Sequence, residues 1–103
     1  MFGFKKKIDT LTGEDLDRAR ENTRDLVLYQ FPACPFCQRV QHHLNERGLT
    51  IETRNTQTDP DAREQLLAGG GRTTVPCLYI GNESRWLYES SDIVDFIDQR
   101  IGK

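Results

Sequence analysis

Hydrophobic and polar positions along the chain follow two periods in turn from residue 26 onward. The short, largely apolar run Leu26–Gln30 is typical of a buried strand. The next segment, Pro35–Arg47, has its apolar positions at helical spacing, with a proline in the first turn and Gly48 after the last. The pattern therefore predicts a strand followed directly by a helix.

The same alternation continues to the C-terminus and gives the order βαβαββα. This order predicts an α/β fold in which a small four-stranded mixed sheet, with one parallel β–α–β pair and a C-terminal hairpin, is flanked by helices. After Gly48 the predicted elements are a strand at 50–54, a helix capped by Asp59 with Pro60 in its first turn and ending at the glycines 69–71, strands at 75–80 and 85–88 joined by a turn at 81–84, and a helix at 90–100.

Residues 1–24 are predicted to be an N-terminal extension of a single domain at 25–103. Residues 12–21 are expected to form a short helix, with Thr12 as its N-cap and Leu11 packed on Leu16. The apolar stripe of this helix is thin, so we expect it to lie at the periphery. The aromatic and basic residues 2–7 are expected to form a frayed terminus, with contact to a partner or a membrane surface as the alternative.

Composition and charge exclude several classes of protein. The 103 residues suffice for one domain, and the net charge of −2 gives no electrostatic basis for binding nucleic acid. No apolar run approaches the ~20 residues of a membrane span. The first residues lack the apolar core of a signal peptide. Three cysteines, two of them in a C-x-x-C motif, do not suit a secreted disulfide scaffold, so we expect a protein of the reducing cytoplasm. We also expect a monomer.

Two of the three cysteines lie in Cys34-Pro35-Phe36-Cys37, at the predicted start of a helix. Unpaired backbone N–H groups and the positive end of the helix dipole favour a thiolate at Cys34. Cys37 lies one turn further on the same face, close enough to attack a mixed disulfide formed at Cys34. The motif predicts thiol–disulfide exchange, with Cys34 as the nucleophile and Cys37 as the resolving thiol. A zinc half-site is the alternative, but the sequence offers no second pair of ligands, and no metal is expected.

Together with Thr74-Val75-Pro76, this motif resembles the glutaredoxin branch of the thioredoxin-like superfamily, over about residues 25–103. Residues 28–40 also resemble the N-terminal domains of certain glutathione transferases. The resemblance implies a thioredoxin-like fold, glutathione as the co-substrate, and glutathionylated or disulfide-bearing proteins as partners.

The resemblance further implies that Pro76 is a cis-proline facing the two cysteines. This arrangement would leave the backbone of Val75 free to pair with an extended substrate. An ordinary trans proline at the start of an edge strand is the alternative.

The start of the last helix is the second predicted contact with glutathione. Its free N–H groups form an anion site, and a γ-glutamyl carboxylate is an anion. Glutaredoxins usually carry a Gly-Gly pair here, whereas this chain has Tyr88-Glu89 and so resembles the Glu-Ser signature of glutathione transferases. A plain helix cap is the alternative. The candidate ligands are Glu89, Ser90, Ser91 and Asp92.

The glycine carboxylate of glutathione also needs a cation. Related domains often place a lysine or arginine shortly before the first cysteine, but residues 30–33 carry no positive charge. Arg72 is the predicted substitute, with a solvated loop arginine as the alternative. The other candidate contacts with the substrate are Pro35, Phe36 and Thr74.

The sequence thus predicts a glutathione-dependent oxidoreductase that reduces protein disulfides or glutathione mixed disulfides. One alternative is a redoxin reduced by thioredoxin reductase. Another is an iron–sulfur carrier in which Cys34 and glutathione ligate a cluster within a dimer. Cys77 is expected to be a buried structural thiol, with a redox-sensitive third thiol as the alternative.

Overall fold

The computed structural model describes residues 11–102. From residue 26 onward its strands and α-helices follow the predicted order βαβαββα. In chain order, the elements are α1 (Gly13–Asn22), β1 (Leu26–Gln30), α2 (Pro35–Arg47), β2 (Glu52–Asn55), α3 (Pro60–Gly70), β3 (Cys77–Ile80), a single 3₁₀ turn (Gly81–Glu83), β4 (Arg85–Leu87) and α4 (Ser90–Gly102).

The strands form one mixed sheet in the order β2-β1-β3-β4. β1 is parallel to β2 and antiparallel to β3, and β4 forms a hairpin with β3. Both the parallel pair and the hairpin are therefore confirmed. Because β1 and β3 are antiparallel, the end of β1 meets the start of β3, where Tyr29 pairs with Cys77. Two segments with candidate active-site residues lie at this end of the sheet. One follows β1 and the other precedes β3.

Two of the predicted strands begin later than expected. β2 begins at Glu52 rather than at residue 50, because Glu52 is the first residue to pair with β1, opposite Val27. β3 begins at Cys77 rather than at residue 75. Pro76 has no backbone N–H to contribute to the ladder, so regular pairing starts after it.

Alternate residues of the central strands pack against two different helical layers. Leu28 and Leu78 lie opposite each other in the sheet and belong to the cluster formed with α2 and α4. Tyr29 and Cys77 lie on the other face, in the cluster formed with Leu66 of α3. Because both faces are covered, β1 and β3 consist largely of apolar residues.

The helix of the N-terminal extension is more tightly integrated than predicted. α1 was expected at the periphery, but Ala19 is only 1% exposed and belongs to the main core cluster. Asn22 donates a hydrogen bond to the Arg100 carbonyl (3.1 Å), and Arg100 donates one to the Asn22 carbonyl (2.7 Å). Thr12 occupies the predicted N-cap, but its side chain makes no capping hydrogen bond. The prediction for residues 2–7 lies outside the described residues.

The C-terminal end of α3 lies directly against the aromatic side chains of the hairpin. Trp86 is held by Tyr29 and Tyr79, whose ring centroids are 5.4 and 4.5 Å from its own. A Cβ atom added at Gly69 would overlap the benzene part of the Trp86 indole. Glycine is required at this position because the helix backbone and the ring approach so closely.

We expect Gly69→Ala to lower the free energy of unfolding by about 1–3 kcal/mol, because the added methyl group must displace a ring that its neighbours hold in place. The matched control is Gly102→Ala, where an added Cβ meets nothing within 4 Å. That change should be neutral or slightly stabilising, since alanine is the better helix former. Urea unfolding of both variants measures the difference, and equal midpoints would contradict the packing described.

An ion pair between Asp25 and Arg100 links α4 to the opposite end of the sheet. Arg100 donates to both carboxylate oxygens of Asp25, at 2.8 and 3.3 Å, and the backbone N–H of Asn82 donates to the same carboxylate at 2.9 Å. Arg100, with smaller contributions from Asn82, holds the pKa of Asp25 below its ordinary value of 3.8. The pair thus joins α4 to the start of β1 and to the hairpin turn.

This pair predicts a loss of stability in acid. Since the Asp25 pKa is lower in the folded than in the unfolded state, its stabilisation is complete above the unfolded pKa and is lost as the pH falls through the folded one. Asp25→Asn should lower the free energy of unfolding at pH 7 by about 1–3 kcal/mol and weaken its dependence on pH below about 5.

The control for this experiment is Glu21→Gln, which breaks the exposed pair between Glu21 and Arg24 (2.8 Å). Exposed pairs contribute little, so its effect should stay within about 0.5 kcal/mol. Denaturant unfolding at several pH values makes the comparison. An Asp25→Asn variant with the acid dependence of the wild type would show that the prediction is wrong.

Candidate active site

The turn between β1 and α2 places Cys34 at the N-cap of the helix. The Cys34 N–H donates to the Phe31 carbonyl at 3.2 Å, and the Cys34 carbonyl accepts the N–H of Gln38 at 2.9 Å. Pro35 occupies the first turn, where a missing N–H costs nothing. The Gln38 side chain donates to the Pro32 carbonyl at 2.8 Å. These bonds fix the path from strand to helix and so the position of the Cys34 sulfur.

The Cys34 sulfur has two backbone neighbours. It accepts a hydrogen bond from the Cys37 N–H at 3.3 Å, and its S–H points to the Val75 carbonyl, with sulfur and oxygen 3.8 Å apart. The Val75–Pro76 peptide bond is cis, as the sequence analysis predicts. The structure therefore brings the two cysteines together with the backbone before Pro76, although Cys34 and Val75 are 41 residues apart in the chain.

Cys37 is the more deeply buried of the two thiols, with 1% of its surface exposed against 8% for Cys34. Burial, together with a hydrogen bond to the Cys34 side chain, raises the pKa of Cys37 to about 12. Both cysteines are free thiols. At neutral pH Cys37 is therefore a neutral thiol in contact with the neighbouring sulfur.

Two of the predicted substrate contacts are open to solvent beside this pair. Phe36, between the two cysteines, is 59% exposed, and it is one of two large hydrophobic side chains that are exposed within residues 11–102. Thr74 is exposed in the loop that carries Val75. An exposed ring next to Cys37 in the chain and an exposed threonine next to Val75 thus accompany a Cys34 that is itself almost covered.

The residues at the start of α4 do not all lie on one surface. Ser90 begins the helix and is 9% exposed, and the Glu89 carbonyl before it accepts the N–H of Ile93 at 2.8 Å. Ser91 borders a groove between α2 and α4, whereas Asp92 borders a depression beside β4. Of the four predicted ligands, Ser91 and Asp92 therefore face different sides of the helix.

The Arg72 side chain stacks on the ring of Tyr88, and Tyr88 lies two residues before the start of α4. Its guanidinium lies over the Tyr88 ring, 4.2 Å from the centroid, and its carbonyl accepts a hydrogen bond from the Tyr88 hydroxyl at 3.0 Å. Arg72 is exposed, but these contacts distinguish it from a freely solvated loop arginine. No role for Tyr88 follows from the sequence pattern alone; the available signal is that Tyr88-Glu89 stands where the resemblance to glutaredoxins implies a Gly-Gly pair.

Cys77 lies away from this surface, beneath α3. It is 0% exposed and packs with Tyr29 and Leu66. Burial raises its pKa to about 12, against smaller opposing effects of a hydrogen bond with Tyr88 and of the Leu87 backbone. These surroundings fit the expected structural thiol.

The described part of the chain offers neither a metal cluster nor a membrane span. Within residues 11–102, no group of three or more His, Cys, Asp or Glu side chains is arranged to hold a metal ion. None of the helices in the same range has the length and apolar character needed to cross a lipid bilayer.

Comparison with known proteins places this geometry in a family. The family described as glutathione S-transferase, N-terminal domain, matches residues 28–103. The glutaredoxin of Pseudomonas aeruginosa is 32% identical over 56 residues, which are 54% of this chain and 67% of that protein. The matched range spans Cys34, Cys37 and Pro76, and the relative is a glutaredoxin, so the two comparisons agree with the predicted resemblance.

Solved structures support the same assignment. Glutaredoxin 2 from Salmonella typhimurium, determined in complex with glutathione, is 29% identical with a TM-score of 0.62, over 78% of this chain and 35% of that chain. A mutant of the thioredoxin-like protein BC3987 is 22% identical with a TM-score of 0.59, over 76% and 99%, and shows the fold. The chain therefore belongs to the glutaredoxin family of thioredoxin-like thiol oxidoreductases, and its residues 28–103 match the glutathione S-transferase N-terminal domain.

Proposed function

We propose that this protein reduces glutathione mixed disulfides and protein disulfides with electrons from glutathione, through Cys34 and Cys37. The observation that carries the proposal is the position of the Cys34 sulfur at the N-terminus of α2, between the Cys37 N–H and the Val75 carbonyl. The relation to glutaredoxins supports it, as does the likeness to a glutaredoxin 2 that binds glutathione.

In the first step, the thiolate of Cys34 attacks the glutathione sulfur of a mixed disulfide. A Cys34–glutathione disulfide forms, and the substrate protein leaves as a thiolate. Loss of the Cys34 proton also ends its hydrogen bond to Val75, because a thiolate has no donor. The Val75 carbonyl then becomes available to accept an N–H from the bound peptide.

Two routes regenerate Cys34. A second glutathione thiolate can attack the glutathione sulfur, which releases glutathione disulfide and the Cys34 thiolate. Alternatively, Cys37 loses its proton and attacks the Cys34 sulfur, which releases glutathione and forms a Cys34–Cys37 disulfide that two further glutathiones reduce. Since the pKa of Cys37 is raised to about 12, the second route needs a proton acceptor, such as the departing thiolate.

Glutathione would bind as an extended peptide along the loop before Pro76. Its cysteine would pair with the Val75 backbone, and its γ-glutamyl group would lie at the α4 start, near Glu89 and Ser90. Phe36 and Thr74 would border the groove, and Arg72 would supply positive charge. The exposure of Phe36 and Thr74 beside a nearly buried sulfur supports this arrangement.

A redoxin reduced by thioredoxin reductase is the second candidate. Residues 30–33 contain no cation, unlike related domains that bind glutathione, and this favours a weak glutathione site. Turnover with glutathione plus glutathione reductase, against turnover with thioredoxin reductase, separates the two candidates. Activity with thioredoxin reductase alone would overturn the glutathione proposal.

The two cysteines should differ in their importance for a glutathionylated substrate. Cys34→Ser should reduce turnover at least about 10³-fold, because it removes the nucleophile. Cys37→Ser should retain most of the activity, since a second glutathione can release Cys34. Turnover of a glutathionylated peptide, coupled to glutathione reductase, measures both variants. Equal losses in the two would argue against the route through a second glutathione.

The thiols should also differ in reactivity toward iodoacetamide. With a pKa of about 12, Cys37 is ionised at pH 7 in roughly one molecule in 10⁵, so the folded protein should be alkylated at Cys34 first. Cys77 is the control, because it is as deeply buried as Cys37 and its pKa is also raised to about 12. It should stay unmodified until the protein is denatured. Peptide mass spectrometry over time gives the rates. Alkylation of Cys37 as fast as that of Cys34 would contradict the assigned roles.

A further inference from the structure

Tyr88 makes several contacts in the region between the loop before Pro76 and the α4 start. Its hydroxyl donates to the Arg72 carbonyl at 3.0 Å, and its ring lies under the Arg72 guanidinium at 4.2 Å. A Cβ atom at Gly70 would collide with the same hydroxyl. The Tyr88 ring also packs against the buried cluster that contains Cys77. The tyrosine is therefore fixed from several sides, and it fixes both the backbone and the side chain of Arg72.

Arg72 and Tyr88 lie next to two different parts of the proposed glutathione site in the chain. Arg72 is three residues before Val75, whose carbonyl contacts the Cys34 sulfur. Tyr88 comes directly before Glu89, and α4 begins at Ser90. The guanidinium thus lies over the side chain of the second residue before α4.

We infer that Tyr88 is a positioning residue, which holds Arg72 at the α4 end of the groove so that the guanidinium pairs with the α-carboxylate of the γ-glutamyl group. This inference rests on the proposed function. It revises the sequence-based assignment of Arg72 to the glycine carboxylate.

The physical basis is pre-orientation of a flexible cation. An arginine side chain has many rotamers, and stacking on an aromatic ring selects one of them before the ligand arrives. The ring covers a face of the guanidinium, and the N–H donors at its edge are suited to bind a carboxylate in bidentate fashion. Because the γ-glutamyl end takes no part in bond exchange, loss of this contact should raise KM and leave kcat unchanged.

The test compares three peptide mixed disulfides: one with glutathione, one with 4-aminobutyryl-Cys-Gly, which lacks the glutamyl α-carboxylate, and one with γ-Glu-Cys-glycinamide, which lacks the glycine carboxylate. We expect Arg72→Gln and Tyr88→Leu to raise KM about tenfold for the glutathione and glycinamide compounds. Neither variant should raise KM for the aminobutyryl compound. Tyr88→Phe, which keeps the ring, should have a smaller effect than Tyr88→Leu.

Arg85→Gln is the charge-matched control, because Arg85 is an exposed arginine at the start of β4, three residues before Tyr88. It should change KM for none of the compounds. Thermal unfolding of every variant, and the alkylation rate of Cys34, report whether the fold and the reacting sulfur are intact. A Tyr88→Leu variant that lowers kcat with unchanged KM would overturn the inference.

Two further results would also overturn it. One is an unchanged KM of Tyr88→Leu for the glutathione compound. The other is a KM increase that persists with the aminobutyryl compound but disappears with the glycinamide, since Arg72 would then bind the glycine carboxylate. If the wild-type protein itself fails to turn over the glutathione compound, the proposed function fails instead. The two failures are therefore distinguishable.

Discussion

The hydrogen bond from the Cys37 N–H to the Cys34 sulfur is the interaction on which the site depends. It satisfies one of the free donors at the start of α2, so the side chain that would react is also the one that caps the helix. The sulfur is held because the helix start is held, by Pro35 and by the Gln38 side chain. The contacts that form the start of α2 therefore also set the position of the reactive sulfur.

The sheet supplies the second half of the site through the pairing of β1 with β3. Since Tyr29 lies opposite Cys77, the residues just beyond this pair, which include Cys34 and Val75, meet at the same end of the sheet. The two deeply buried cysteines, Cys37 and Cys77, have different surroundings. Cys37 and Cys77 have a pKa raised to about 12 for the same reason, burial, yet Cys37 contacts another sulfur and Cys77 contacts Tyr88 beneath α3.

The contact between Arg72 and Tyr88 compensates, in our proposal, for a charge that the chain lacks elsewhere. Residues 30–33 are without a cation, so the positive charge for an anionic ligand must come from another part of the groove. A loop arginine alone would be mobile, and the Tyr88 ring and hydroxyl remove that freedom. The close approach of Gly69 and Gly70 to Trp86 and Tyr88 allows the ring to lie there.

The sequence by itself determined the local features, because each depends on a few adjacent residues: the strand Leu26–Gln30, the helix Pro35–Arg47 with its capping residues, the start of α3 at Pro60, and the cysteine pair one helical turn apart. With the family resemblance, it also predicted the cis bond before Pro76. Only the tertiary structure decided the packing of Ala19 into the core and the stacking of Arg72 on Tyr88. These depend on side chains far apart in sequence, whose meeting is set by how helices lie across the sheet and not by any local periodicity.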